Sequence, residues 1–425
     1  MSATPWAGRR LHFIGVGGAG MSGLALVARA LGAEVTGSDQ VESSYVALLR
    51  DAGIEPAIGH AAANVPEGAE VVVSTAIGDD NPELRRAREQ GATILHRGDL
   101  LGEVTRLRPT IAVAGTHGKT TTASMAAHIL VETGRDPSYL IGGEVRSTGT
   151  NAAWGTGEWL VVEADESDRS FLKLSPEVVV ITNVELDHHA TFATLGELQE
   201  AFDRFTDRAR VVIENVEPPD AELLPMGSRF SALGAAFELS VPGRHNAQNA
   251  LAAALACREA GVEPPDSARA LKSFVGAGRR FEDHGTGPAG SRVYDDYAHH
   301  PTEVRATLEA ARTLGGERVL ACFQPHLYSR TRALARDFGR ALAGADVAVV
   351  LDVYPAREDP ADFPGVSGWL VAAATADAAG GRPVYWTPRW DEAEKLLRRE
   401  LREGDVLLTL GAGDIDVLAR DLTHG

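Results

Sequence analysis

Lysine is nearly missing from this 425-residue chain: of 41 basic side chains only four are lysines, Lys119, Lys173, Lys272 and Lys395. Cysteine is rarer still. Cys257 and Cys322 each lie inside an apolar run, which excludes a disulfide framework and reads as two small core residues in a reducing compartment. No stretch of about 18 apolar residues occurs, and the opening MSATPWAGRR lacks the apolar core of a signal peptide. The expectation is a cytoplasmic protein without membrane insertion. Positive charge is short as well: 59 acidic residues give a formal net charge of -18. That balance disfavours a generic nucleic-acid or anionic-membrane binder, so any anion must be gripped by local groups against the overall field. Repeats at solenoid periods and low-complexity tracts are absent too.

What is present is alternation. Short β-rich runs such as LHFIGV, VVVSTA, TIAVAG, WLVVEAD, EVVVITN, RVLACFQ and VAVVLDVY alternate with longer Ala/Leu/Arg-rich patterns of helical period. Such an order argues for parallel sheets built from βαβ units. The length prior allows roughly two to four domains. Punctuation at TRLRPT (105–110) and at GAGRRFEDHGTG (276–287) divides the chain into three α/β domains, 1–108, 109–280 and 281–425.

The scarcity of lysine makes Lys119 conspicuous. It stands in GTHGKTTT, directly after the strand TIAVAG and before the helical ASMAAHILVETG. A phosphate-binding loop requires this order: backbone N–H groups at a helix start wrap the phosphates, a lysine reaches the terminal ones, and the Thr120 hydroxyl can hold magnesium. A lysine is a compact point charge that an arginine fork does not replace. Strand WLVVEADESD then ends in four carboxylates, Glu163, Asp165, Glu166 and Asp168, where a parallel sheet opens its ligand crevice. One of them is expected to hold the metal. A solvated acidic turn is the other reading, and it suits the later carboxylates better than Glu163. The next strand ends in NVELDHH, whose asparagine, aspartate and histidines are candidate ligands for a second divalent ion, His188 foremost.

At the front, Gly15, Gly17 and Gly20 fit G-x-G-x-x-G after a strand, and Asp39 follows the next strand. A dinucleotide satisfies this pattern, and so does a nucleotide-diphosphate sugar, since the loop demands only a diphosphate at a helix start and a ribose near the acid. For GRHNAQN, the residues alone read as a helix start with Asn246 as its cap. His299 and His300 read as an exposed pair after a strand.

Together GVGGAGMSG, GTHGKTTT, EADESD, NVELDHH, GRHNAQNA, GRRFE, DDYAHHPTE, FQPHLYSRTR and LTLGAGDI, in this order, resemble the Mur ligases, nearest their alanine-adding branch. The resemblance spans all three blocks. It implies a Rossmann-like N-terminal domain for the UDP-sugar, a central P-loop ATPase-like domain, and a Rossmann-like C-terminal domain for the amino acid. The implied reaction joins L-alanine to the lactyl carboxylate of UDP-N-acetylmuramate at the expense of ATP, a step of peptidoglycan precursor synthesis.

By the same resemblance, Gly115, Thr116, His117, Gly118, Lys119, Thr120 and Thr121 serve the ATP phosphates, and His245, Asn246, Asn249 and Asp296 the rest of the nucleotide. Lys119, Glu163 and His188 are implied as catalytic, and Thr120, Glu163 and His188 as ligands of magnesium or manganese. Gly15, Gly17, Gly18, Gly20, Asp39, Ser74 and Arg280 are implied at the UDP-sugar, and Tyr297, His299, His326 and Arg330 at the amino acid. Monomer and homodimer both stay open.

The chain departs from the family's pattern in two places. Leu327 stands where relatives usually have arginine, which leaves a carboxylate contact to Arg330 or Arg332. The interval between NVELDHH and GRHNAQN is short and contains VEPPDAELLPMGS, so a trimmed ATPase domain is expected there. Other readings remain beside the alanine ligase. One is a ligase attaching a recycled tripeptide to the same sugar nucleotide, whose relatives tend to have tyrosine at the place of Ser167. Another is a UDP-sugar-binding homologue without catalysis. An NAD-dependent oxidoreductase rests on the front loop alone.

Overall fold

The computed structural model describes residues 4–187 and 191–424. By contacts the chain forms two compact units, 1–217 with 249–270, and 218–248 with 271–425.

The first unit holds two sheets. Strands β1 (Arg10–Ile14), β2 (Glu34–Asp39), β3 (Ala57–Ile58), β4 (Glu70–Val73) and β5 (Ile94–His96) form a parallel sheet in the order β3-β2-β1-β4-β5. That order is the doubly wound arrangement whose ligand crevice lies outside the carboxyl end of the first strand. The second sheet joins β6 (Thr110–Ala114), β7 (Ser138–Val145), β8 (Thr150–Ala153), β9 (Leu160–Glu163), β10 (Val178–Ile181) and β11 (Val211–Ile213), ordered β11-β10-β6-β9-β7-β8. Only β8 pairs antiparallel. Its central strands are buried at every position of Thr110–Ala114 and Val178–Ile181, as a sheet covered on both faces demands.

The second unit holds a mixed sheet of β15 (Glu282–Thr286), β16 (Arg292–Asp296), β17 (Val319–Phe323), β18 (Val347–Val350), β19 (Val384–Trp386) and β20 (Val406–Leu410), ordered β15-β16-β20-β17-β18-β19, with β15 antiparallel to β16. It also holds an antiparallel sheet of β12 (Glu222–Leu224), β13 (Gly227–Ala232) and β14 (Ala235–Leu239). Within the interval expected to be trimmed, VEPPDAELLPMGS (216–228) contains β12 and enters β13. The hairpin turns at Leu233 and Gly234, both at positive φ, and Phe230 stacks on Phe237 at 4.8 Å. Two successive positive φ values match the twist of tight hairpins.

Cys257 and Cys322 are free and buried, and burial pushes the Cys322 thiol up to about 12. Among the described residues no helix is long and apolar enough to cross a membrane.

Candidate active site

The phosphate loop leaves β6 and enters the helix Lys119–Glu132 at Gly118, which offers no side-chain cap, so the first-turn N–H groups stay open to an anion. Gly115 has φ +124°, and a Cβ there would lie 2.2 Å from Thr182 Oγ1, so only glycine fits against β10. The loop is braced from that neighbouring strand. The Thr116 amide donates to the Asn183 carbonyl (3.0 Å), and the Asn183 side chain accepts from the His117 amide (2.9 Å) while donating to the His117 carbonyl (3.0 Å). Asn183 thus spends its side chain on the loop and not on a metal, contrary to its candidacy as a ligand. His188 lies outside the described residues, and Asp187 beside it is buried.

Lys119 Nζ donates to the Gly115 carbonyl (2.6 Å) and pairs with Glu166 (3.0 Å). Its side chain is 12% exposed, against 43%, 67% and 77% for Lys173, Lys272 and Lys395. Burial works against its charge, but Glu166, Asp165 and Glu163 more than offset it and hold the ammonium protonated. Thr120 Oγ1 donates to Glu163 Oε1 (3.2 Å), whose other oxygen accepts from the Gly142 amide (2.8 Å). A hydroxyl and a carboxylate at the start of a phosphate-binding helix are the hard oxygen donors that suit magnesium. Thr116 and Thr121 are buried beside them.

The solvated-turn reading of the later carboxylates does not hold. Arg97, the first residue of the helix Arg97–Thr105, donates to Asp165 (2.8 Å) and Asp168 (3.0 Å), and Glu166 is buried against Lys119. Burial raises the Asp165 pKa, yet Arg97 and Lys119 override it and hold the carboxyl below the usual range. The Asn246 cap fails as well. The helix Arg244–Glu259 begins before Asn246, whose side-chain amide donates to the Pro242 carbonyl (2.7 Å). Asn249 lies against the phosphate loop, close enough that a Cβ on Gly118 would meet its Oδ1 at 2.8 Å.

At the front loop, Gly15, Gly17, Gly18 and Gly20 surround the start of the helix Ala19–Ala30, again without a side-chain cap. Asp39 turns inward and accepts from the Gly17 amide (2.8 Å), and Ser43 donates to the Gly17 carbonyl (3.1 Å). Ser74 follows β4, its hydroxyl accepting from the Ala76 amide at 3.4 Å.

The second unit gathers residues from four separate stretches. Tyr297 meets His299 edge-on (5.3 Å between centroids), His299 meets His326 (6.2 Å), His326 stacks on Tyr354 (5.7 Å), and the Arg330 guanidinium lies 3.3 Å from His326 Nδ1. Arg280 sits over the Tyr297 ring (5.0 Å) near Glu303 (3.9 Å). Its neighbour Arg279 instead ties Asp295 to the Gly411 and Gly413 carbonyls. Arg330 is buried whereas Arg332 is exposed over Phe363, so Arg330 is the one in this cluster. Leu327 is buried at φ +71° and donates its amide to the Tyr354 carbonyl (2.9 Å). His299 and His300 are not an exposed pair: His300 is buried and caps the helix Pro301–Arg312 with Glu303. Asp296 accepts from the Phe281 and Ala298 amides, and desolvation, aided by Glu303, lifts its carboxyl to about 7. Desolvation also pushes the His245 imidazole down to about 4.

Sequence reasoning missed Arg97, Glu303 and Tyr354. Tyr354 follows a parallel strand at the sheet's ligand end, and Glu303 completes a capping-box spacing with His300, so both had a signal. Arg97 had none beyond its place at a strand end.

Residues 10–108 match the Mur ligase family, catalytic domain, 113–222 the Mur ligase middle domain, and 279–413 the Mur ligase, glutamate ligase domain. The UDP-N-acetylmuramate--L-alanine ligase of Streptomyces coelicolor is 46% identical across 97% of this chain and 96% of its own, and that of Rubrobacter xylanophilus 44% across 97% and 99%. The former alignment spans 451 positions, more than this chain has residues, so the relative carries segments that are missing here. Among solved structures, the UDP-N-acetylmuramate-alanine ligase of Thermotoga maritima superposes with TM-score 0.84 at 30% identity, covering 98% of both chains. A murein peptide ligase of Psychrobacter arcticus reaches 0.74 at 25%, also over 98% of both. The chain belongs to the Mur ligase family.

Proposed function

We propose that this protein is an ATP-dependent ligase that joins L-alanine to the lactyl carboxylate of UDP-N-acetylmuramate, releasing ADP and phosphate. The observation that carries the reading is the set Lys119, Thr120 and Glu163 brought together at one helix start, in a chain whose full-length relatives are named for that reaction. The domains 1–108, 109–280 and 281–425 take the UDP-sugar, ATP and the amino acid respectively.

A carboxylate does not accept an amine at neutral pH, so its oxygen is first phosphorylated. An oxygen–phosphorus bond forms to the γ-phosphoryl group and the bond to ADP breaks. The alanine amine then attacks the acyl carbon, the carbon–nitrogen bond forms, phosphate leaves, and the amine gives up a proton. Catalysis of the first step is positioning and charge neutralisation. Lys119 supplies a permanent cation to the phosphates, and the uncapped start of the helix Lys119–Glu132, beyond the Thr116 and His117 amides that Asn183 already engages, faces them. Thr120 and Glu163 would hold magnesium, which neutralises phosphate charge when bound. Asn249, beside Gly118, together with Asn246, His245 and Asp296, serves the remainder of the nucleotide.

In the second unit Arg330 grips the alanine carboxylate, a pairing that suits a planar guanidinium. His326, His299 and Tyr297 wall the pocket, while Arg280, over the Tyr297 ring, stays assigned to the UDP-sugar. The buried Leu327 removes a second cation, so Arg330 alone performs the task.

The test is phosphate release from ATP with UDP-N-acetylmuramate and magnesium, with and without L-alanine, beside a Lys119→Ala control. Alanine-dependent turnover lost in the control is expected. Turnover with the tripeptide and not with alanine would move the acceptor. Silence with every acceptor would leave a sugar-nucleotide binder.

A further inference from the structure

The front loop is poor in charge for a diphosphate site: GVGGAGMSG contains no lysine or arginine. Its acid, Asp39, is committed to the Gly17 amide. Anion binding there therefore rests on backbone N–H groups unless a cation arrives from elsewhere in the fold.

One does. Arg97, at the end of β5, extends to the start of the helix Ala19–Ala30, and a Cβ placed on Gly20 would lie 3.3 Å from its Nη1. The other side of the guanidinium is anchored. Nε and Nη2 donate to Asp168 (3.3 and 3.0 Å), and Nη2 also donates to Asp165 (2.8 Å). Among the described residues Nη1 makes no hydrogen bond, so two N–H donors of a rigid fork are left over on the side of the glycine loop. Two carboxylates orient the guanidinium without using it up.

We propose that Arg97 is a substrate-binding residue, donating through Nη1 to the diphosphate of the nucleotide sugar. This rests on the reading that the UDP-sugar occupies the front loop. The fork geometry matters: a lysine could pair with the acids or reach the loop, but a single ammonium does not hold both directions. Without Arg97 the diphosphate would also face Asp165 and Asp168 unscreened.

The experiment measures binding of UDP-N-acetylmuramate, UDP-N-acetylglucosamine and ATP by calorimetry to the wild-type chain and to Arg97→Lys and Arg97→Gln, with melting temperatures alongside. UDP-N-acetylglucosamine keeps the diphosphate and lacks the lactyl carboxylate. The expected result is a Kd for both UDP-sugars raised about 10- to 100-fold, the loss of a charge-assisted hydrogen bond, with ATP affinity changed less than about twofold. UDP-sugar affinities equal to wild type overturn the inference. Loss for the muramate sugar alone assigns Arg97 to the carboxylate and overturns the diphosphate contact, and equal loss for ATP shows a merely structural role. A wild-type chain that binds neither UDP-sugar removes the underlying reading itself. Should both variants unfold, an arginine-selective dicarbonyl is applied to the wild-type protein and read at Arg97 by mass spectrometry. Protection by UDP-N-acetylglucosamine supports the contact, and unchanged modification overturns it.

Discussion

Two helices in the first unit begin on a glycine with no side-chain cap, Ala19–Ala30 at the front loop and Lys119–Glu132 at the phosphate loop. Helices at Ser43, Asn81 and Thr194 are capped by their own side chains. Leaving N–H groups open costs stability of about 1 kcal/mol per helix; helices starting at Leu327, Ser367 and Arg389 also lack a side-chain cap, so what sets these two apart is the glycine loop that precedes each. They differ in charge. The phosphate loop carries its cation within its own motif, held by Glu166, whereas the front loop is neutral and is braced by Asp39. A phosphate that only has to be held can be met by backbone dipoles and a cation borrowed from another element, the part proposed for Arg97. One that is transferred needs a cation already in place when negative charge shifts in the transition state.

The largest effect is expected where that cation is removed. Lys119→Ala should lower alanine-dependent phosphate release by about 10²- to 10³-fold or more, with UDP-sugar binding unchanged in calorimetry. Comparable loss of UDP-sugar affinity would erase the distinction between the loops. Glu163→Gln comes next. Turnover at limiting magnesium should fall by about 10- to 100-fold, and a magnesium titration should shift to higher concentration. Asp39→Ala should act on the front loop alone, raising the KM for UDP-N-acetylmuramate by about tenfold through loss of the acceptor that braces the Gly17 amide. The KM for ATP should stay put in the same assays.

The smallest effects are in stability, and they contrast the held charge of Lys119 with groups in the second unit that titrate. Asp296 has its carboxyl raised from 3.8 to about 7. Between those values the folded chain binds a proton that the unfolded chain has released, so this group's stabilisation is lost as pH rises from about 4 to 7. Asp296→Asn should remove that downward slope in denaturant titrations run across this window. His245 is depressed from 6.5 to about 4, so the unfolded chain binds the extra proton and stability is lost as pH falls through that range. His245→Gln should flatten a slope of opposite sign.

What could be read from the sequence follows how locally each feature is encoded. The phosphate loop is contiguous, strand then glycines then helix, and its backbone geometry follows from the order of residues. The parallel strands are legible because burial on both faces makes them continuous apolar runs. The acidic turn was misread because its counter-charge, Arg97, lies 68 residues before Asp165 and no local pattern announces the pair. Asn183 had the right chemistry for a metal, but its use is decided by the His117 peptide that the fold sets against it. Asn246 looked like a cap because a cap is the commonest local use of asparagine, yet the helix starts two residues earlier. The hairpin at Leu233 and Gly234 had a signal, two β-prone runs around a glycine, that the expectation of a trimmed region hid.

The seclusion of Lys119 has a practical side. Three of the chain's four lysines are freely accessible and the fourth is 12% exposed and paired. Amine-directed reagents thus meet a side-chain surface of only Lys173, Lys272 and Lys395, all remote in sequence from the loop. A labelled chain carries at most a handful of tags, and the least accessible of its four side-chain ammoniums is the one in GTHGKTTT. That makes it suited to site-resolved fluorescence or crosslinking without the mutagenesis that lysine-rich enzymes require.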